Sequence, residues 1–262
     1  RIRRWQLKIA QARQLVELGS LPNARINSLC EAAQAYAAAG GLVSERDCPL
    51  PWAEANLELG TLLLMLGHRE CRPERYLAAA LHFKPAIEVF TRERALDGWA
   101  RSQIGLAHAL RGQASFQGDV VIAREAAFAY RAALGILTED GSADLWHEAR
   151  CALAETLVRI AEEAGDIEAL NKAIDLLMGA TETAAHQIGE PARSLGDIAL
   201  GRAMLFLVET GLDLGELSDV RSDDDEKVLS DAIELISNGL TRGAAHLTIL
   251  DRAWSERCLG TA

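Results

Sequence analysis

The stretch Trp99-Ala-Arg-Ser-Gln-Ile-Gly-Leu-Ala107 decides the fold, because versions of it recur along the chain at one spacing. One period later the chain reads Trp146-His-Glu-Ala-Arg-Cys-Ala-Leu-Ala154, and one period earlier Trp52-Ala-Glu-Ala-Asn-Leu-Glu-Leu-Gly60. Trp5, Trp52, Trp99 and Trp146 follow one another at intervals of 47 residues. A constant period of this size is typical of proteins built from stacked structural repeats.

Each period reads as two amphipathic helices, here called helix A and helix B. In the third repeat the apolar spacing predicts helix A over about Gly98–Leu110 and helix B over about Asp119–Leu137, with Asp119 as N-cap. No strand is predicted, because period-2 alternation is absent and Ala and Leu dominate. The predicted repeats are 5–51, 52–98, 99–145, 146–192 and a longer 193–253, followed by a partial or capping helix at 254–262.

Some positions depart from the regular pattern. Arg193 stands where the fifth repeat should carry Trp, and an insertion near Asp213–Glu226 lengthens that repeat. In the second repeat Gly67 is expected to end helix A, and Pro85 should kink or break helix B because it lacks a backbone donor.

Two classes of residue recur at fixed places and predict how the helices pack. A small residue in helix A lets the partner helix approach closely, and a large aromatic in helix B fills the space between adjacent pairs. A pair of this kind buries its apolar faces only by stacking on its neighbours. The small residues are Gly60, Ala107, Ala154 and Gly201, and the large ones are Tyr36, Phe83 and Tyr130.

The overall charge narrows the classes of partner. The 262-residue chain carries a formal net charge of −11 and has a sequence pI of about 5.1. A nucleic-acid binder would present a basic surface, so we predict no nucleic-acid partner. The same balance disfavours adsorption to an anionic membrane surface.

The compartment is predicted from the cysteines and from the apolar runs. The five cysteines are odd in number and form no Cys-x-x-Cys pair, which favours reduced thiols in the cytoplasm. No apolar run approaches the roughly 20 residues that span a bilayer, so membrane insertion is not predicted. The chain lacks an initiator Met, and we expect it to be a fragment of a larger protein or a processed product.

Signatures of catalysis, cofactors and metals are missing from the sequence. It has no Gly-rich phosphate loop, no Gly-x-Ser-x-Gly and no His-Glu-x-x-His. His68 and Cys71 lack a second pair of zinc ligands, and the acidic run Asp223–Glu226 lacks the spacing of a calcium loop. We therefore predict that the chain is not an enzyme and holds no cofactor or metal.

The repeat residues resemble the tetratricopeptide-repeat (TPR) family, in an elongated bacterial form with a 47-residue period. The resemblance rests on the large-plus-small pair Leu106-Ala107, on Leu110, and on Tyr-Arg-Ala-Ala-Leu at 130–134. It covers nearly the whole chain and is weakest across the stretched fifth repeat. It implies an all-α, right-handed α-solenoid of stacked antiparallel helix pairs, whose helix A residues line a concave groove that binds peptides or proteins.

The family pattern also implies which side chains face the groove. We expect Arg101 and Arg111 to hold an acidic group or a C-terminal carboxylate of a partner, since Arg binds carboxylates with a bidentate fork. In the alternative interpretation, these arginines pair with groove glutamates and only hold the repeats in register. The predicted partner-binding residues are Arg101, Ile104, His108, Arg111, Glu54, Glu148, Glu155 and Arg202.

The resulting functional prediction is a non-catalytic scaffold module that binds a protein or peptide in the groove. An alternative is a self-assembly element, in which exposed ends or the convex face mediate homo-oligomerisation. A second alternative is a regulatory sensor domain of a larger signalling protein.

Overall fold

The computed structural model describes residues 1–20, 26–183, 190–210 and 225–242, and these residues form helices with no strand. The all-α prediction is confirmed for this part of the chain. The helices are α1 (Ile2–Ser20), α2 (Ile26–Leu42), α3 (Pro49–Glu70), α4 (Pro73–Val89), α5 (Leu96–Gln117), α6 (Val120–Leu134), α7 (Glu139–Ala164), α8 (Ile167–Thr183), α9 (Glu190–Thr210) and α10 (Asp225–Arg242).

The helices fall into two units, Arg1–Ile136 and Leu137–Ala262, which we call the N-terminal and C-terminal units. In the N-terminal unit each helix from α1 to α6 packs against the next, and α3 also packs against α5. In the C-terminal unit α7 packs against α8 and α9, α8 against α9, and α9 against α10. The continuous repeat domain and the solenoid remain predictions.

The aromatic residues of α4 form the centre of the N-terminal unit. Phe83 is fully buried, and a Cβ added at Gly60 of α3 would lie 3.0 Å from its ring. A Cβ added at Gly105 of α5 would overlap the same ring at well under 3.0 Å. Tyr76, seven residues before Phe83, makes the same kind of close contact with Gly112 of α5. Glycine on both neighbouring helices therefore allows α4 to lie close to α3 and α5.

The C-terminal unit uses glycine in the same way between α9 and α10. A Cβ at Gly201 would lie 2.6 Å from Ile236 and 2.7 Å from the Ala232 carbonyl oxygen. A Cβ at Gly239 would lie 2.7 Å from Ile198. Gly201 thus occupies a close helix contact, as the small-residue pattern predicts.

The four tryptophans that set the 47-residue period are buried to different degrees. Trp5 and Trp99 are buried, whereas Trp52 and Trp146 are half-buried. The guanidinium of Arg92 lies 4.6 Å from the centre of the Trp99 ring, a cation–π distance. Trp99 thus packs against a side chain that precedes its own helix.

Some helix ends follow the sequence and others do not. The Asp119 side chain accepts hydrogen bonds from the backbone N–H groups of Val121 and Ile122, which confirms it as an N-cap. Gly165 ends α7 with φ of 64°, in the left-handed region that glycine tolerates. The prediction that Gly67 ends helix A is wrong, because α3 continues to Glu70.

Pro85 lies inside α4, which continues through it to Val89. It does not end the helix. The predicted bend at Pro85 remains a prediction.

Two features of the sequence fall largely outside the described residues. Asp223 and Asp224 of the acidic run lie outside them, while Asp225 begins α10. The partial or capping helix predicted at 254–262 lies outside them entirely.

Candidate functional site

The face formed by α1 and α3 carries a charged cluster centred on Arg13. Arg13 Nη2 donates to Glu54 Oε1 and to Glu58 Oε1, each at 2.8 Å. All later repeats have Gly or Ala at the register position of Arg13, so this link between helices is particular to the first repeat. Glu54, a predicted groove residue, therefore already holds a cation of its own unit.

Helix α2 adds a fourth side chain, Tyr36, to this cluster. The Tyr36 hydroxyl donates to Glu58 Oε2 at 3.3 Å. Burial, reinforced by the Glu58 carboxylate, raises the pKa of Tyr36, so its hydroxyl stays protonated and remains a donor. The cluster consequently links α1, α2 and α3 through two carboxylates.

The four predicted groove residues of α5 differ in exposure. Arg101 is exposed and has no hydrogen bond or ion pair among the described residues. His108 is half-buried, while Ile104 and Arg111 are buried, Arg111 with 7% of its surface exposed. Arg101 and His108 are thus the two of the four that an incoming ligand could reach without rearrangement.

His108 is held in place by the next helix. Its Nδ1 lies 2.7 Å from the Tyr130 hydroxyl of α6, and the two rings meet edge to face with centroids 5.3 Å apart. Arg101 and His108 are seven residues apart on one helix, so they lie on the same face. This face of α5 thus carries one unpaired cation and one positioned imidazole.

In the C-terminal unit a buried ionic cluster joins α7 to α9. Glu155 Oε1 accepts from Arg159 Nη2 at 3.0 Å and from Arg202 Nη1 at 3.1 Å. Arg202 also holds Glu162 in a bidentate fork, through Nε at 3.2 Å and Nη2 at 2.5 Å. The side chains of Glu155, Arg159 and Arg202 are each 2% exposed. This geometry leaves little access for a ligand.

Glu163 lies beside this cluster and has a different environment from Glu162. Its Oε2 atom is buried and has no hydrogen-bond partner among the described residues. Loss of hydration raises the pKa of Glu163, and the carboxylates of Glu162 and Glu155 add to the effect, against the opposing charges of Arg159 and Arg202.

Glu155 and Arg202, both predicted groove residues, are in direct contact. They hold the same register position in successive repeats, 47 residues apart. Glu148, seven residues before Glu155 on α7, is exposed. Glu54 and Glu155 each hold an arginine from outside the predicted groove: Arg13 pairs with Glu54, and Arg159 pairs with Glu155.

Sequence reasoning missed several members of these clusters. The sequence did offer a sign of Arg13, because a charged residue stands where the later repeats carry Gly or Ala. It also offered a sign of the Glu155–Arg202 pair, because opposite charges one period apart lie next to each other when helices A stack. Nothing comparable marks Arg159, Glu162 or Glu163, whose burial depends on how α7 and α9 approach each other.

In the part of the chain that the structure describes, no group of three or more His, Cys, Asp or Glu side chains is arranged to hold a metal ion. None of the helices described is long and apolar enough to cross a lipid bilayer. The thiol of Cys71 donates to the backbone carbonyl oxygen of His68, at a distance of 3.9 Å.

No model of a protein family matches the chain, and no curated protein matches it significantly.

Proposed function

We propose that the chain is a non-catalytic binding module that takes a protein or peptide on the helix A face of its N-terminal unit. In this proposal the helix pairs stack as in an elongated TPR solenoid, and α1, α3 and α5 line the binding surface. The ligand presents a carboxylate, either acidic or C-terminal.

The exposed Arg101 supports this proposal most directly. An unpaired guanidinium keeps all its donors available for a planar carboxylate. The glutamate of the neighbouring helix α3 in the predicted groove, Glu54, is held by Arg13. The pairing of Glu54 with Arg13 argues against Glu54 as the register-holding partner of Arg101.

His108 adds a second polar contact on the same face. Its Nδ1 lies 2.7 Å from the Tyr130 hydroxyl, which orients the half-buried imidazole on the face of α5 that carries Arg101. Arg101 and His108 together can orient a short peptide along α5, with Arg101 setting the position of the carboxylate. This arrangement calls for no bond making, so the module is proposed to bind rather than to catalyse.

A peptide array tests the proposal. Each peptide is displayed once with a free C-terminal carboxylate and once as the C-terminal amide, and the array is probed with labelled protein. Wild-type protein should bind a subset of free-carboxylate spots and lose most of their amide counterparts. Arg101→Glu should lose the same spots, whereas Arg3→Glu, a reversal at an exposed arginine of α1, should keep them. Full retention by Arg101→Glu would refute carboxylate anchoring.

A further inference from the structure

Three glycines of α5 mark the side of a helix A that receives the preceding helix pair. Gly98, Gly105 and Gly112 are spaced by seven residues and so lie on one side of the helix. A Cβ added at each would lie less than 3.0 Å from a ring of the preceding pair, and these rings are Phe90, Phe83 and Tyr76. We call this side of a helix A its stacking face.

The stacking face of α1 is exposed. One period is 47 residues, so Arg4, Gln11 and Leu18 hold the positions of the three glycines, with Lys8 and Leu15 between them. Arg4 and Gln11 are exposed, Leu18 is 57% exposed, and Lys8 and Leu15 are half-buried. The face is therefore basic towards the start of α1 and apolar towards its end.

The carboxylates of the first helix pair lie away from the basic end. Glu17, the acidic residue of α1, is about 14 Å along the helix axis from Lys8 and points about 100° away from Leu18. Glu31 of α2 lies two residues from Leu29, which packs on Gly19 at the far end of α1. Both are separated from the basic end by more than the Debye length of roughly 8 Å at physiological salt.

The carboxylates next in the chain have partners of their own or accompany a cation. Arg13 holds Glu54 and Glu58 of α3. After α2, Asp47 accepts a hydrogen bond from Ser44, and the neighbouring Glu45 stands beside Arg46. Arg4 and Lys8 themselves make no ion pair among the described residues. The basic end thus keeps its charge for an outside partner.

The two units of the chain carry opposite net charge. Residues 1–136 contain 17 Lys and Arg against 13 Asp and Glu, whereas residues 137–262 contain 10 against 25. The N-terminal unit therefore has a formal charge of +4 and the C-terminal unit one of −15. Exposed carboxylates without an ion pair among the described residues of the C-terminal unit are Asp144, Asp175, Asp231 and Glu234.

We propose that the stacking face of α1 binds the C-terminal unit of a second copy of this chain, so that copies associate head to tail. Arg4 and Lys8 pair with carboxylates of that unit, and Leu15 and Leu18 cover apolar side chains beside them. The α1 helix of a second copy does not fit, because its stacking face brings the same cations and no carboxylate. The contact joins two different surfaces, so the association is heterologous and can extend beyond a dimer.

Cross-linking of mixed isotopic copies tests which surfaces meet. Equal amounts of ¹⁴N- and ¹⁵N-labelled full chain are treated with a carbodiimide, which joins an amine to a carboxylate in contact with it. Peptides of mixed label report links between copies alone. Lys8 should be joined to carboxylates within residues 137–262 of the other copy. The proposal is overturned if Lys8 forms no link between copies, or if its links between copies fall only within residues 1–136.

Sedimentation velocity measures the strength of the association and its dependence on α1. The sedimentation coefficient should rise with protein concentration at about 50 mM salt and stay at the monomer value at about 500 mM. Arg4→Glu with Lys8→Glu should weaken association about tenfold, since each reversal replaces an attraction by a repulsion. Leu18→Ser should also weaken it.

Matched variants separate this face from net charge and from general stickiness. Lys84→Glu with Arg131→Glu makes the same change in net charge on α4 and α6 and should leave association unchanged at physiological salt. Leu77→Ser removes a leucine of similar exposure, 55%, from α4 and should also have no effect. A chain that stays monomeric at low salt, association that strengthens with salt, or equal effects of the α1 variants and their controls would overturn the proposal.

Discussion

Phe83 lies between two glycines, Gly60 on α3 and Gly105 on α5. The aromatic of helix B was expected to fill space between helix pairs, and burial of this ring agrees with that role. The sequence pattern marked Gly60 as the small partner but did not mark Gly105. Gly105 escaped notice because none of the other four repeats carries glycine at its register position.

Substitution at Gly105 should therefore be costly. Gly105→Ala places a methyl group against Phe83, and overpacking of this kind costs about 1–3 kcal/mol. Gly41→Ala on α2 is the control, because an added Cβ there meets nothing within 4 Å. It should be neutral or stabilise by up to about 1 kcal/mol through helix propensity. Urea unfolding followed by circular dichroism measures both, and equal stability of the two variants would contradict the packing account.

Glu163 gives the stability a specific pH dependence. Because burial raises its pKa, the folded state holds this proton to higher pH than the unfolded state does. The free energy of unfolding therefore loses a contribution as pH rises above the ordinary glutamate pKa of 4.5 and through the folded pKa. Glu163→Gln removes this loss, so its stability relative to wild type should increase from pH 4.5 to pH 7. Unfolding at several pH values checks this, and a constant difference would refute it.

At the scale of helices, a helix end set by its own backbone neighbours could be predicted from the sequence. A close contact between two helices could not. Asp119 acts through its own backbone neighbourhood, so sequence alone located the start of α6. Gly67 was misread as a helix end. It lies within α3, where an added Cβ would be 3.2 Å from the Tyr76 ring of α4. Its smallness permits a close contact between helices, a property that only the packed structure shows.

The ionic cluster between α7 and α9 should be a strong determinant of stability in the C-terminal unit. Arg202→Met leaves Glu155 and Glu162 short of a cation, and breaking a buried pair from one side costs about 3–5 kcal/mol. Lys172→Met is the control, because Lys172 pairs with Glu168 on the exposed surface of α8. That pair should be worth less than about 1 kcal/mol.

A rescue variant distinguishes unpaired charge from lost packing. Replacing Glu155, Arg159 and Arg202 together by apolar residues of similar volume should recover part of the loss, because the three most deeply buried charges are then gone and only Glu162, 16% exposed, lacks its cation. Thermal unfolding measures the series. If Arg202→Met is as mild as Lys172→Met, the cluster has no structural role.

At the scale of the molecule, the 47-residue period predicted helix pairs and their order in the chain. Helices α1, α3, α5 and α9 begin three residues before the predicted starts of their repeats, and α7 begins seven residues before. The repeat boundaries stay predictions. The period also places Glu155 and Arg202 at the same position of successive repeats, so their pairing could have been predicted.

The candidate site was harder to predict, because a position within the repeat indicates which way a side chain points but not how exposed it is. Arg101 and Arg111 share one assigned direction, yet one is exposed and the other is buried.

The central claim is that Arg101 holds a ligand carboxylate, and a double-mutant cycle by calorimetric titration tests it most directly. A peptide selected from the array is titrated as free acid and as amide, into wild-type protein and into Arg101→Gln. If the two groups touch, their coupling energy should be about 1–2 kcal/mol, and the amide should bind both proteins alike. A coupling energy of zero, with Arg101→Gln still preferring the free acid as wild type does, would contradict the claim.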